Sequence, residues 1–313
     1  MPWPCAPAGA AHCGMNDRTK GNNRRHRPFH SLDYEEILTR ATKPYSAQPR
    51  AFLKWAGSKR LILPALVETL PERFARYYEP FLGGGSLFFL LRPRRAVLGD
   101  VCSELIETFK AVRDNPSAVV RYLRPLKPDK STFYRIRANR SAGRFKRAAE
   151  FIYLNKTCWN GLYRVNAAGE FNVPYGLPKT NNVADFENLR ACAKVLRQPG
   201  VSLRTGDFEG LVAEAARGDL VYLDPPYVTG HSNNAFIDYN EELFSWADQE
   251  RLAVVAERLR RKGVHVIVSN ANHSAVRRLY RHFQIRVISR SSTLASDSSK
   301  RRHVKEAILC PRP

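Results

Sequence analysis

The stretch Asp219-Leu220-Val221-Tyr222-Leu223-Asp224-Pro225-Pro226-Tyr227 decides the fold: an apolar run stops at a carboxylate, two prolines and an aromatic ring. A short apolar run bounded by breakers reads as a strand buried on both faces, delivering a stiff loop at its carboxyl end. Consecutive prolines fix φ at about −65° and remove two backbone donors, so the carbonyls of Asp224 and Pro225 stand as acceptors with no competing local N–H. Asp224 and a neighbouring carbonyl together accept both hydrogens of one amino group, which localises the nitrogen lone pair for attack on an electrophile. Tyr227 suits stacking on the ring that carries the amine. An ordinary Asp-Pro turn after a strand is the competing reading, and the surrounding sequence decides between the two.

Upstream, Tyr77-Tyr78-Glu79-Pro80-Phe81-Leu82-Gly83-Gly84-Gly85-Ser86 followed by apolar 87–91 reads as strand, glycine turn and helix start, a place where a ligand approaches backbone closely. A dinucleotide fingerprint calls for a third glycine where Phe88 stands, so a nucleoside ligand without phosphates fits better. The strand-like 96–99 ends at Asp100, about as far downstream as an acidic residue grips ribose hydroxyls in doubly wound folds. Further strands are expected at 201–204, 220–223, 264–268, 284–288 and 304–309, separated by helical patterns at 105–112, 245–262 and 275–282. This alternation predicts an α/β fold with a mainly parallel sheet and helices on both faces. Before it, Phe52-Leu53-Lys54-Trp55-Ala56-Gly57-Ser58-Lys59-Arg60 runs into a turn and the helix-like 61–70, a setting suited to a ligand with a carboxylate and an aromatic ring.

The segment 115–200 breaks the rhythm with basic helical stretches at 133–140 and 145–156. Then comes Thr157-Cys158-Trp159-Asn160-Gly161-Leu162-Tyr163-Arg164-Val165, whose turn residues 166–169 and return Phe171-Asn172-Val173-Pro174 predict a hairpin. Aromatic rings interleaved with Arg, Lys and Asn suit reading and wedging a nucleic acid.

Charge supports that partner. With 51 Lys plus Arg against 29 Asp plus Glu, the 313-residue chain carries a formal +22, which points to a polyanion. An anionic membrane is the rival, but there is neither an amphipathic basic helix nor an apolar run long enough to span a bilayer. Six cysteines at 5, 13, 102, 158, 192 and 310 form no Cys-x-x-Cys pair, so free thiols are expected, a metal site at Cys5, His12 and Cys13 is not, and no secretory leader is legible. These readings predict a cytoplasmic protein. Residues 1–48 lack periodicity and are expected to be a flexible basic tail.

Taken together these motifs resemble the Dam-like, D12 class of DNA adenine-N6 methyltransferases, over about 50–309. The residues that carry the resemblance are Phe52 to Gly57 with Lys59, Glu79-Pro80-Phe81 with Gly83 to Gly85, Asp100, Asn160-Gly161-Leu162 with Arg164, Gly169-Glu170-Phe171-Asn172-Val173-Pro174, and Asp224 to Tyr227. The resemblance implies a Rossmann-like class I methyltransferase sheet, S-adenosyl-L-methionine as methyl donor, double-stranded DNA as substrate, and no metal; a monomer is expected. It implies cofactor-binding parts at 49–113, an inserted, mostly helical target-recognition domain with a β-hairpin at 114–200, and a catalytic part at 201–313. Asp224, Pro225, Pro226 and Tyr227 are implied to be catalytic. Trp55, Lys59, Glu79, Phe81, Gly83, Gly85, Asp100, Asp207, Phe208 and Asp224 are implied to hold the cofactor, with Asp207 and Phe208 beside its adenine. Lys54, Trp159, Asn160, Leu162, Arg164 and Pro174 are implied to contact DNA, Trp159 and Leu162 as wedges beside a flipped base and Arg164 as a guanine reader. The target implied is the adenine of GATC. Ser58 stands where the family usually has glycine, Trp159 replaces a tyrosine or phenylalanine, and Arg290-Ser291-Ser292-Thr293, Arg301 and Glu306 match loosely. Methylation of cytosine N4 or of RNA adenine, and a catalytically silent DNA-binding relative, are the alternatives.

Overall fold

In a computed structural model the described residues are 30–42, 48–55, 57, 59–178, 180, 182–227, 244–291 and 303–312. Cys5, His12, Cys13, Ser58, Ser292, Thr293 and Arg301 lie outside them. The elements run β1 (His30–Ser31), α1 (Tyr34–Thr42), a 3₁₀ turn (Lys59–Ile62), α2 (Leu63–Val67), β2 (Arg73–Phe74), β3 (Tyr77–Glu79), α3 (Ser86–Leu91), β4 (Arg95–Asp100), α4 (Ser103–Asp114) and α5 (Pro116–Leu123). They continue with α6 (Lys130–Ala138), α7 (Arg144–Thr157), a second 3₁₀ turn (Trp159–Gly161), α8 (Phe186–Leu196), β5 (Gly200–Thr205), α9 (Phe208–Leu211) and β6 (Leu220–Leu223). The last are α10 (Trp246–Arg261), β7 (His265–Ala271), α11 (Ser274–Leu279), β8 (Phe283–Ser291) and β9 (His303–Pro311).

The quoted run is β6, inside a seven-stranded sheet of order β5-β4-β3-β6-β7-β9-β8. Period-two alternation sends its side chains to opposite faces. Leu220 and Tyr222 join the apolar cluster of α1 to α8, while Val221 and Leu223 join that of α10 and α11. All four are at most 1% exposed, as a strand covered on both faces requires. β4, β3, β6 and β7 repeat the pattern and pair in parallel. The helices start where local chemistry says they should: Asn115 before Pro116 caps α5, Asp129 caps α6, and Ser245 with Asp248 closes a capping box on α10.

Two differences from expectation have physical causes. β9 pairs antiparallel with both β7 and β8: only residues 292–302 separate β8 from β9, fewer than the roughly dozen or more that a parallel crossover needs. The stretch expected to be flexible ends before residue 48: after Asp33, whose carboxylate accepts from the Glu36 amide at 3.0 Å, α1 buries Ile37, and the Tyr34 hydroxyl donates to the Leu70 carbonyl at 2.6 Å. Basic composition hid about two and a half amphipathic turns. Deleting residues 1–45 therefore removes a buried side chain, a loss of about 1.5–3 kcal/mol for Ile37 alone. Thermal melts should show that truncation several degrees below a 1–29 truncation; equal melting temperatures would show that α1 contributes nothing.

The sheet order also locates the functional crevice. β4 and β5 extend to one side of β3 and β6, β7 to the other, so the loops leaving β3 and β6 diverge at their carboxyl ends. Ligands of open α/β sheets sit at that switch point.

Candidate active site

From β6, Asp224 enters the crevice largely buried, and Lys59, itself 6% exposed, meets its Oδ1 at 2.7 Å. The same ammonium lies 4.6 Å from the centroid of the Tyr227 ring. Tyr227 donates its hydroxyl to Glu306 at 3.2 Å, a fully buried carboxylate on β9, and Tyr222 shares a 2.5 Å hydrogen bond with Ser269 of β7. Burial pushes the Asp224 carboxyl up to about 6; Lys59 opposes the rise and Glu306 adds to it. Alongside, Glu79 ends β3 buried, accepting from the Tyr77 hydroxyl at 2.9 Å. Burial pushes it up to about 8, with the nearby Asp224 charge adding to the rise and the Tyr77 hydrogen bond opposing it. Buried carboxylates thus gather in one crevice with a lysine paired to Asp224, a set of acceptors suited to a ligand with positive centres.

One strand over, Asp100 accepts the Gly83 amide on Oδ2 and the Cys102 amide on Oδ1, both at 3.0 Å. Burial raises its carboxyl, while those backbone donors hold it down. Gly83 has φ +47°, and a Cβ there would stand 2.6 Å from Cδ1 of Trp55, so the turn passes under the indole only without a side chain. Gly85 follows in the same left-handed region, at φ +68°. The crevice therefore brings Trp55, Lys59, Glu79, Gly83, Gly85, Asp100 and Asp224 together, and this constellation fits S-adenosylmethionine: carboxylates for its cations and hydroxyls, glycine backbone for close approach.

Asp207 and Phe208 stand differently. Asp207 caps α9 and takes both terminal nitrogens of Arg251 at 2.8 Å. Phe208 is buried, stacked on Phe81 at 5.4 Å and packed beside Phe244. Phe81 and Phe208 thus form one aromatic wall, while the Asp207 carboxylate is occupied by Arg251.

On the other side of Trp55 lies the segment expected to meet DNA. The indole stacks on Tyr163 at 5.7 Å. The expected hairpin is present: Val165 bridges Phe171, the Asn166 amide donates to the Glu170 carbonyl at 2.9 Å, and the turn closes through Gly169. Arg164 is exposed, with Nε donating to Asn172 Oδ1 at 2.7 Å. Trp159 is 44% exposed, large for an indole. Its backbone is pinned by a 2.9 Å bond from its amide to the Pro174 carbonyl, and Asn160 and Gly161 follow with φ of 53° and 66°. Leu162 is half-buried and Pro174 exposed.

The roles of several polar partners escaped the sequence reading. Asn155 on α7 binds the backbone of Lys54 and the Gly161 carbonyl; Ser269, Glu306 and Arg251 secure the residues named above. Of these only Glu306 figures in the sequence reading, as a loose match without a role; the others belong to no legible motif. Beside Asn155, Lys156 is pulled down to about 8 by burial and by the neighbouring charges of Lys54 and Arg50, which marks a positive cluster that an anion would relieve.

A mainly parallel seven-stranded sheet with this crevice defines a class I methyltransferase. The chain belongs to the D12 class N6 adenine-specific DNA methyltransferases, whose family model matches residues 55–294. It is similar to the type II methyltransferase M1.LlaDCHI of Lactococcus lactis subsp. cremoris, 38% identical over 83% of this chain and 94% of that protein. It is also similar to the type II methyltransferase M.MjaIII of Methanocaldococcus jannaschii, 34% identical over 81% of this chain and 95% of that protein. The DNA adenine methylase of Escherichia coli K12 is 31% identical over 84% of this chain and 96% of its own length. The chain is thus an enzyme that methylates adenine N6 in DNA with S-adenosylmethionine, and the cytosine and RNA alternatives fall away. Among the described residues no helix is long and apolar enough to cross a membrane.

Proposed function

We propose that this enzyme acts as a cytoplasmic monomer on double-stranded DNA, flips the adenine of GATC out of the helix, and holds it between Tyr227 and Asp224. The observation that carries this reading is the position of Lys59. Its nitrogen pairs with Asp224 while lying over the Tyr227 ring, placing a nitrogen against the same carboxylate and ring that an exocyclic amine and its aromatic base would meet. Bound S-adenosylmethionine supplies the electrophilic methyl group. The chain's part is to orient the amine with Asp224 and the Pro225 carbonyl, to keep the ring planar against Tyr227, and to exclude water by burial. Extrusion costs a few kcal/mol in unpairing and unstacking, and the exposed Trp159 on its pinned turn is shaped to fill the gap. A duplex with 2-aminopurine at the target should brighten on binding; unchanged fluorescence with intact methylation would rule flipping out.

Base reading falls to Arg164. Asn172 engages Nε and so leaves the two terminal nitrogens as the fork that matches guanine O6 and N7. Arg164→Ala should cost about 1–3 kcal/mol on the cognate duplex and little on others, measured as methylation of GATC and each single-base variant. A wild type that prefers another adenine site removes GATC; undiminished discrimination in the variant makes Arg164 a phosphate contact. The formal charge of +22 supports the wider electrostatic contact, whose affinity should fall with salt at a log-log slope of about −0.9 per phosphate neutralised.

Activity should also carry an acid limb. Only the carboxylate form of Asp224 accepts the amine, and its pKa is raised from 3.8 to about 6, so kcat/KM should rise between about pH 5 and 7 and level off above. A profile flat through that window would take Asp224 out of this role.

A further inference from the structure

We propose that Asn155 is a positioning residue for base recognition, holding Lys54 and the Asn160-Gly161-Leu162 turn in one fixed arrangement; this rests on the reading that those residues meet DNA. Asn155 is 2% exposed on the last turn of α7. Its Oδ1 accepts the Lys54 amide at 2.8 Å, and its Nδ2 donates to the Lys54 carbonyl at 2.5 Å and to the Gly161 carbonyl at 3.2 Å. One side-chain amide thereby uses both its donors and its acceptor on two backbone segments far apart in sequence. A buried amide satisfied on every side is costly to disturb, so it specifies a single geometry. The turn it holds needs specifying: Asn160 and Gly161 are both left-handed, and a Cβ on Gly161 would stand 2.4 Å from Cβ of Lys54. Turn and lysine are in direct contact with no room to slide.

The fold contains its own control. Asn188 on α8 clamps Arg50 through the same two bonds, amide to Oδ1 and Nδ2 to carbonyl, each 2.9 Å. It holds the same incoming segment four residues earlier but reaches no part of the recognition turn. If Asn155 served only to tie that segment to the helices, Asn155→Ala and Asn188→Ala would behave alike.

The test compares the ratio of kcat/KM on the cognate duplex to kcat/KM on its single-base variants for wild type, Asn155→Ala, Asn188→Ala and Gly161→Ala, with cofactor affinity and thermal melts alongside. Asn155→Ala should lower the ratio by about tenfold or more, the effect expected when a buried hydrogen-bonding group loses its partner, while cofactor affinity stays within about twofold of wild type. Asn188→Ala should lower the melting temperature and leave the ratio unchanged. Gly161→Ala keeps the amide but displaces the turn, so it should reproduce the loss of discrimination, and it carries the test where Asn155→Ala does not fold. The double variant should be no worse than the more damaged single, because both act through one contact. Equal ratios in Asn155→Ala and wild type, or in Gly161→Ala where that variant carries the test, would overturn the proposal, as would equal losses in Asn155→Ala and Asn188→Ala. A wild type without any site preference would overturn the DNA-contact reading instead.

Discussion

Asp224→Ala should lower methyl transfer by about 10²–10³-fold, the usual consequence of deleting one preorganised polar group at a reacting centre. The structure argues for the upper end. Asp224 lies largely buried at the crevice with Lys59 at 2.7 Å, so its carboxylate is aimed before any substrate arrives and needs little reorganisation. Removing it also leaves the Lys59 ammonium nearly buried over the Tyr227 ring without its counter-ion, which disturbs the amine site. DNA affinity should therefore survive, because Arg164, Trp159 and Lys54 are untouched. Asp224→Asn separates the two effects: it keeps the shape but replaces an acceptor by a donor facing Lys59. Single-turnover methylation with saturating cofactor is the measurement, and more than about a tenth of wild-type rate in the alanine variant would end the assignment.

Much of this site was legible because its chemistry is local. A proline pair after a carboxylate, a glycine turn after a strand and a hairpin turn between aromatic segments each announce themselves over a few residues, and β6, β4 and α10 fell where periodicity placed them. What stayed hidden was the support. Glu306 holds Tyr227 from 79 residues away and Asn155 holds Lys54 from 101 residues away, distances over which a single chain carries no pairing signal. Asp207 shows the same limit from the other side. Its position is legible from a short match, but its partner Arg251 on α10 is not, and the bidentate pair fastens α9 to α10. Helix α1 was missed for a different reason: prolines, glycines and basic residues on both sides diluted its one apolar face.

The second large effect falls on the cofactor. Asp100→Ala should weaken S-adenosylmethionine by about 1.5–3 kcal/mol, the worth of hydrogen bonds to a buried charged group, or about 10- to 150-fold in Kd. Each Asp100 oxygen takes one backbone amide, from Gly83 and from Cys102, and each retains a second lone pair for a ribose hydroxyl. The same carboxylate fixes the turn that passes beneath Trp55 and, on the proposed reading, binds the sugar. Both contributions vanish in the alanine variant, and calorimetry alone would merge them. An analogue lacking the ribose hydroxyls separates them. Wild type should bind that analogue more weakly than S-adenosylmethionine, and Asp100→Ala should bind the two with nearly equal affinity, since the hydroxyls have then lost their acceptor. Whatever weakening the analogue itself shows between wild type and variant measures the collapsed turn. If Asp100→Ala still preferred the hydroxylated cofactor by the wild-type margin, the ribose contact would have to move to Glu79, the buried carboxylate next along the crevice.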